Sequence, residues 1–450
     1  MSRIIKRGIN LPIIGSPSSE ITEKVPRHLG INASDYNGMK PSFKLNEGDL
    51  VKKGETVFVW KNDPKVAFVS PVNGRISSIT RGSKRALKFI EIESGDSDSV
   101  NDHTFSGFKS TSIENYSDEE IVDLIAESGL WTSFRTRPFS KIPITSSKPH
   151  AIFVNTMDSN PLALDSGPFI HQFQSAFNDG LDILQRLTEG NLHVSAKVGY
   201  RFVIKENSNR SIHEFSGPHP SGNVGTHIHM IDPVGANKCV WTIGYQDVVA
   251  IGKLFGTGKL FTERWISLCG PAAKNPRIVR TCMGAKIEDI IREEENVSEC
   301  RAISGSVIYG YIKSDSYPFL GRYSTQLTLV REDRERVFLG WHDAGLNRFS
   351  VMRTFLSRLL PGKKFDFGTS THGSYRAMVP VGAYEKVFPF NMVPTHLLKA
   401  LYVGDTDYAQ ALGCLELDEE DLACCTFVDP GKVDYGPKLR TSLNIIEKEG

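Results

Sequence analysis

No stretch of this sequence approaches the ~20 consecutive apolar residues that a membrane helix needs, so any membrane association is expected to run through a partner. There is no charge surplus either. Lys and Arg number 53 against 52 Asp and Glu, which excludes the bulk field that recruits nucleic acid. No basic amphipathic helix with a cluster of about 4–8 Lys or Arg is evident. Neither G-x-G-x-x-G nor a P-loop occurs, so the common nucleotide-phosphate fingerprints are missing. No Ser/His/Asp or Cys/His arrangement stands out as a nucleophilic centre. Cysteine is sparse and odd in number, at 7, which predicts reduced thiols in a cytoplasm. Near the start, Ile4-Ile5 gives way at once to Lys6-Arg7, so no secretory apolar core is expected.

What the sequence does hold is 450 residues with a 40% apolar share, enough for two to four domains of roughly 100–200 residues each. Its most informative stretch is Glu127 to Pro143, ESGLWTSFRTRPFSKIP. Trp131, Phe134 and Phe139 sit there among Arg135, Arg137 and Lys141, with Gly129, Pro138 and Pro143 as breakers. A helical period precedes it (Ile121, Leu124, Ile125) and a short apolar run, Ala151–Val154, follows. Helix, aromatic-basic loop and buried strand together predict the lead-in to an α/β ligand crevice. Three aromatics would supply a flat wall, and three cations would supply donors to an anion; no acidic residue lies within the loop to pair with them.

The chain in order predicts an N-terminal lead (residues 1–30, hairpin-like over 3–15), then a compact β region over 31–100. There Gly48-Asp49 and Lys53-Gly54 are turn dipeptides between short alternating strands, and Val57 and Val59 alternate with Phe58 and Trp60. This resembles biotinyl and lipoyl carrier barrels. The hairpin that carries their modified lysine reads Lys61-Asn-Asp-Pro-Lys65 here, and Pro64 disrupts it, so an unmodified barrel is expected. Residues 95–112 are polar and read as a linker. Ser117 with Glu120 predicts a capping box. Alternating helical and strand patterns over 116–255 predict a parallel sheet, with Asn155–Asn160 at the carboxyl end of its first strand.

His213, His219, His227 and His229 cluster within HEFSGPHPSGNVGTHIHMIDPV. A strand over Thr226–Met230 would put His227 and His229 on one face. Three readings stay open: a metal site, backbone hydrogen bonding, or polar contacts from His219, His227 and His229 to a quinone carbonyl or a partner. Cys269 and Cys282 read as small core thiols. Residues 256–320 alternate strand and turn signals, and 321–450 read as mixed, then helical. Strands are expected at Tyr323–Val330 and Val337–Trp341, a polar loop at Phe365–Pro380, and helices at Pro394–Leu401 and after the Asp405 N-cap. The tail holds Cys414, Cys424 and Cys425, then Asp429-Pro430.

Several of these motifs carry a resemblance. The 127–143 stretch resembles the flavin loop of the flavin-binding subunit of respiratory NADH dehydrogenases and of the C subunit of Rnf complexes. Their glycines are replaced here by Thr132, Ser133, Phe134 and Arg135, and a phosphate cradle needs glycines. The tail resembles an iron–sulfur motif reduced to C-x3-D-P, which cannot supply four thiolates. With RTRPFSKIP, GPHPSGNVGTHIH and ALGCLELDEEDL, the sequence closely resembles the A subunits of Na+-translocating NADH:quinone reductases, from Ile4 to Gly450.

The resemblance implies an α/β multidomain fold: a carrier-like barrel, a Rossmann-like domain, a β-grasp module over 256–320, and a helical C-terminal region with a degenerate iron–sulfur motif. It implies a cofactor-free subunit, placed at the cytoplasmic face of the bacterial inner membrane. It would be held there by partner subunits, one of them membrane-embedded. Their complex uses NADH, flavins and iron–sulfur centres to reduce ubiquinone and export Na+. On this reading Trp131, Phe134, Arg135, Arg137, Phe139 and Lys141 are the candidate quinone-binding residues, with no metal and no catalytic side chain acting alone. Two other readings compete. One is a soluble flavin- or NAD-dependent oxidoreductase subunit; the other is an unmodified carrier-like docking subunit.

Overall fold

The computed structural model describes residues 2–449 except 96–101, 201–202, 206, 295–298, 335–341 and 353. Its first two strands, β1 (Ser2–Ile4) and β2 (Ile21–Glu23), form no hairpin with each other. Each joins the edge of a sheet built by later residues. Residues 3–15 therefore stitch domains together rather than folding locally.

A barrel follows, made of a four-stranded and a three-stranded sheet. Its strands are β3 (His28–Asn32), β4 (Pro41–Phe43), β5 (Leu50–Val51), β6 (Thr56–Trp60), β7 (Asp63–Val69), β8 (Gly74–Arg81) and β9 (Leu87–Ser94). Val57, Phe58, Val66, Ile76, Ile90 and Ile92 are fully buried, and Phe58 stacks on Phe68 at 4.3 Å. Pro64 does not interrupt the hairpin as expected, because β7 runs through it from Asp63. Asp63 accepts hydrogen bonds from the backbone N–H and hydroxyl of Thr145 at 2.7 and 2.8 Å, and Lys65 pairs with Asp123 at 2.8 Å. These bonds dock the hairpin on the next domain.

That domain opens with α1 (Asp118–Glu127), whose expected capping box is present: Glu120 N–H donates to Ser117 Oγ at 3.2 Å, and Ser117 N–H to Glu120 Oε2 at 2.9 Å. After β10 (Arg135–Arg137) come β11 (Ala151–Asn155), α2 (Gly167–Gln172), α3 (Gln174–Arg186), β12 (Asn191–Lys197), β13 (Arg210–Ser216), α4 (Val224–Ile231), β14 (Val240–Gly244) and α5 (Tyr245–Thr257). The sheet order is β1-β13-β12-β11-β14-β10, parallel except for β10. Ile152 and Val154 face the buried stripes of α3 and α5, while Phe153 faces Val224 and Ile228 of α4. This is the period-2 alternation of a strand covered on both sides. The helices α3 and α5 approach closely at Gly180 and Gly252, where a Cβ would meet Val248 O at 2.2 Å and Ala176 O at 1.9 Å.

The third unit is a six-stranded sheet ordered β18-β17-β19-β15-β16-β2. It comprises β15 (Glu263–Cys269), β16 (Arg277–Cys282), α6 (Ile287–Ile291), β17 (Cys300–Gly305), β18 (Gly310–Ile312) and β19 (Gln326–Arg331), with β2 at its edge. Expected strand Val337–Trp341 lies outside the described residues. The C-terminal unit contains α7 (Tyr384–Val387), α8 (Pro394–Val403), α9 (Thr406–Ala411), α10 (Ala423–Val428) and α11 (Gly436–Glu449) around a core of Leu397, Leu398, Leu422, Leu439 and Leu443. Asp405 caps α9, accepting from Tyr408 N–H at 2.9 Å. Among the described residues no helix is long and apolar enough to cross a membrane.

Candidate functional site

The chain leaves β11 for β12 on one side and returns to β14 on the other, so the carboxyl ends of β11 and β14 open a crevice at a topological switch point. A cavity of about 230 Å³ occupies it. Asn155, Met157, Asp158 and Asn160 line it from β11; Gly244, Tyr245 and Asp247 line it from the start of α5. Side chains of the barrel (Asp35), the third unit (Tyr309, Tyr311, Tyr317) and the C-terminal unit (Asp418, Glu419) close it. Gly244 faces open space, with nothing within 4 Å of where a Cβ would stand.

Of the aromatic-basic loop, Arg135 and Ser140 line this cavity, and so does Ser133. The guanidinium of Arg135 lies over the Tyr323 ring, 4.7 Å from its centroid, a favourable cation–π geometry. The other candidates are placed differently. Trp131 and Phe134 are fully buried, with Trp131 edge-on to Trp241 at 5.4 Å and its indole N–H donated to Pro143 O at 2.8 Å. An internal acceptor lets the whole indole leave water. Phe139 packs against the C-terminal core.

The cations of the loop find their acids 281 to 306 residues away. Arg137, fully buried, donates to Asp418 Oδ2 at 2.7 Å and Glu420 Oε1 at 3.3 Å, with Asp421 at 3.9 Å. Asp418 also accepts from Ser140 Oγ at 2.8 Å and from Arg440 at 2.7 Å. Lys141 pairs with Glu447. A loop that reads as unpaired in sequence is thus clamped by the C-terminal helices.

The aromatic surface of the cavity consists of tyrosines that the sequence reading did not single out. Tyr311 stacks on Tyr317 at 4.8 Å, and the Tyr317 hydroxyl donates to Asp35 Oδ1 at 2.6 Å. A signal existed: Tyr309, Tyr311, Tyr317 and Tyr323 fall within residues 309–323, out of 13 tyrosines in the chain. Behind them Arg264 and Arg322 share Asp247; burial alone would raise that carboxyl, but the two guanidinium groups hold it below its usual value. Burial raises Asp158 and pushes Asp35 up to about 6, against the pull of the Tyr317 hydroxyl and Arg322. Glu419 is pushed up to about 7 by burial and by Asp418. Asp418 itself, although buried, is held well below the carboxylate range by Arg137 and its companions. The cavity therefore carries tyrosine faces, the partly exposed Arg135 guanidinium, which also reaches Asp418 at 3.5 Å, and carboxyls that burial raises above their ordinary values.

The turn Leu130–Ser133 stands where the resembled flavin subunits have their glycine loop, and it closes on itself. The Thr132 and Ser133 hydroxyls donate back to Gly129 O at 2.8 Å and Leu130 O at 2.6 Å, and both residues are buried.

Thr226–Met230 is not a strand; it lies in α4, so His227 and His229 leave the helix in different directions. Val224, Ile228 and Ile231 recur at helical spacing and face the sheet, which outweighs the local alternation. His227 donates from Nε2 to Ser221 O at 2.9 Å, His219 Nδ1 meets Ser159 Oγ at 3.1 Å, and His229 lies between Glu416 and the Asn391 N–H at 3.0 and 2.8 Å. Burial lowers His219 to about 4 and His227 to about 3, which keeps both neutral. The three do not converge, and among the described residues no group of three or more His, Cys, Asp or Glu is arranged to hold a metal. Cys414, Cys424 and Cys425 are buried in the C-terminal core, and burial pushes Cys414 and Cys424 up to about 12. Asp429 is fully buried and accepts from Tyr384 Oη at 2.6 Å and Val433 N–H at 2.7 Å.

Comparison with known proteins gives three family-model matches: the NqrA N-terminal barrel-sandwich hybrid domain over residues 4–95, the NqrA second alpha/beta domain over 116–260, and the NQRA C-terminal domain over 265–314. Among curated relatives, the A subunit of the Na(+)-translocating NADH-quinone reductase of Histophilus somni (strain 2336) is 46% identical over 447 residues. The proteins of the same name from Neisseria meningitidis (strain Z2491) and Cellvibrio japonicus (strain Ueda107) are each 48% identical over 447 residues. In all three cases 99% of both chains is covered. A crystal structure of an NAD+-reducing NiFe-hydrogenase overlaps 48% of this chain and 47% of its own, at 8% identity and a TM-score of 0.35, too weak a likeness to carry meaning.

Proposed function

Because the chain belongs to the family of A subunits of the Na(+)-translocating NADH-quinone reductase, we propose that it binds ubiquinone in the crevice at the ends of β11 and β14. The chain is one subunit of an oxidoreductase complex that passes electrons from NADH to quinone and translocates Na+. Its place is at the cytoplasmic face of the membrane, held by the other Nqr subunits, at least one of them membrane-embedded, and it carries neither flavin nor iron–sulfur cluster of its own. Its second domain acts as a Rossmann-like scaffold whose switch-point crevice takes a flat redox ring without a phosphate tail.

The observation that supports this most is Arg135 over Tyr323 at the mouth of a tyrosine-walled crevice. A quinone ring needs a flat face and a donor to each oxygen as negative charge develops there. Reduction to the quinol also takes up two protons, and Asp35 and Glu419, raised by burial to about 6 and about 7, line that space as carboxyls that exchange protons closer to neutral pH than an ordinary carboxylate. Of the aromatic-basic loop, Arg135 would touch the ring. Arg137 and Lys141 would hold the loop on the C-terminal unit, and Trp131, Phe134 and Phe139 would support it from the core.

The test is Arg135→Ala in the assembled complex. It should raise the quinone KM or lower quinone reduction by the equivalent of about 1–3 kcal/mol for a lost charged hydrogen bond, while NADH oxidation by artificial acceptors stays at its wild-type rate. Unchanged quinone kinetics and inhibitor sensitivity would place the quinone elsewhere.

A further inference from the structure

Tyr309, Tyr311, Tyr317 and Tyr323 all line the crevice, and their hydroxyls differ in what they bond. Tyr317 donates to Asp35 Oδ1 at 2.6 Å, and Tyr323 donates to Thr132 O at 2.9 Å. Tyr311 is 42% exposed, so water can meet its hydroxyl. Tyr309 is less exposed, and its hydroxyl forms no hydrogen bond with any described residue. A tyrosine drawn out of water ordinarily finds a partner for its O–H. The missing acceptor therefore points to a ligand in the crevice.

The backbone fixes where Tyr309 stands. β17 and β18 join through a turn in which Tyr309 N–H donates to Ser306 O at 3.2 Å, and Ile308 of that turn packs against the C-terminal core. The ring thus comes within electrostatic reach of Asp418, Glu419 and Arg135 at the rim. The acids there are already engaged. Asp418 accepts from Arg137, Ser140 and Arg440, and Arg440 holds Glu419 at 2.7 and 2.6 Å. Burial, joined by the charges of Asp418 and Glu419, keeps the Tyr309 phenol well above its ordinary value, so it retains its proton and stays a donor.

Resting on the reading of this crevice as a quinone site, we infer that the Tyr309 hydroxyl donates a hydrogen bond to one oxygen of the ubiquinone ring, alongside the guanidinium of Arg135. Such a bond strengthens as reduction places negative charge on that oxygen, so the hydroxyl aids reduction as well as binding. Because it has no acceptor among the described residues, its removal breaks no hydrogen bond of the fold.

Tyr309→Phe in the assembled complex keeps the ring and removes the hydroxyl. Its kcat/KM for ubiquinone should fall about three- to tenfold, the loss of one hydrogen bond. NADH oxidation by artificial acceptors should stay at the wild-type rate, and the melting temperature should not fall. Photolabelling of the same preparations with a ubiquinone photoreactive at its ring separates this inference from the reading beneath it. Competable label on this chain, with kcat/KM unchanged in Tyr309→Phe, overturns the role of Tyr309 and leaves the crevice reading standing. Competable label solely on other subunits overturns both. A fall in kcat/KM matched by an equal fall with artificial acceptors, or accompanied by a lowered melting temperature, also overturns the role of Tyr309, since the hydroxyl would then serve folding or assembly.

Discussion

Arg135 and Arg137 stand two residues apart, and their surroundings separate their roles. Arg137 is fully buried against Asp418, Glu420 and Asp421. Arg137→Ala would take the fully buried cation from this group, leaving Asp418 with Arg440 and the more distant Arg135, a loss of about 3–5 kcal/mol for a broken buried pair. It should therefore appear as a lowered melting temperature and poor assembly. Arg135→Ala removes a partly exposed group whose own bond to Asp418 is long, at 3.5 Å, and should leave the melting temperature within a few degrees of wild type. Thermal unfolding of the two variants side by side checks this, and equal losses would contradict it. Asp35 offers a test through pH. It keeps its proton to about 6 in the folded chain, against 3.8 as the ordinary value. Between those values the unfolded state binds fewer protons, so this residue makes folding less favourable as pH rises through that window. Asp35→Asn removes the effect. Its stability relative to wild type should climb between pH ~4 and pH ~6.5 in urea unfolding; a constant difference would mean that Asp35 titrates normally.

Helices and strands differ in how much of them a reader of the sequence can see. The capping box at Ser117, the strand at Ala151–Asn155 and the Asp405 cap are local signals and stand where the pattern puts them. The helix α4 defies its local pattern because T-H-I-H-M alternates, while the face that decides its fold recurs at Val224, Ile228 and Ile231. The ion pairs of the aromatic-basic loop are illegible for another reason: Asp418 and Glu447 lie hundreds of residues downstream, and no local rule brings them to Arg137 and Lys141. The tyrosine wall is present as a dense run, but aromatic density alone does not say which rings face a cavity. Close helix packing gives a prediction at this scale. At Gly252 an added Cβ would lie 1.9 Å from Ala176 O, so Gly252→Ala must separate α3 from α5. A loss of about 1–3 kcal/mol is expected from such overpacking, read by chemical denaturation; a neutral result would mean that the two helices adjust freely.

At the scale of the whole molecule, four units meet at one crevice. The N-terminal lead ties two of their sheets together through β1 and β2, and the C-terminal helices clamp the loop at its rim through Asp418 and Arg440. At the positions that correspond to the iron–sulfur and flavin motifs of the resembled subunits, side chains bond within the chain. Asp429 gathers Tyr384 and two backbone N–H groups, and the Thr132 and Ser133 hydroxyls close their own turn. The most direct measurement is photolabelling of the assembled complex with a ubiquinone that carries a photoreactive group on its ring, followed by peptide mapping. The account predicts label on this chain, within Ser304–Gln326 or Arg135–Asn160, suppressed by excess ubiquinone and weakened by Arg135→Ala. Competable label found solely on other subunits, in a complex that reduces quinone at full rate, would contradict it.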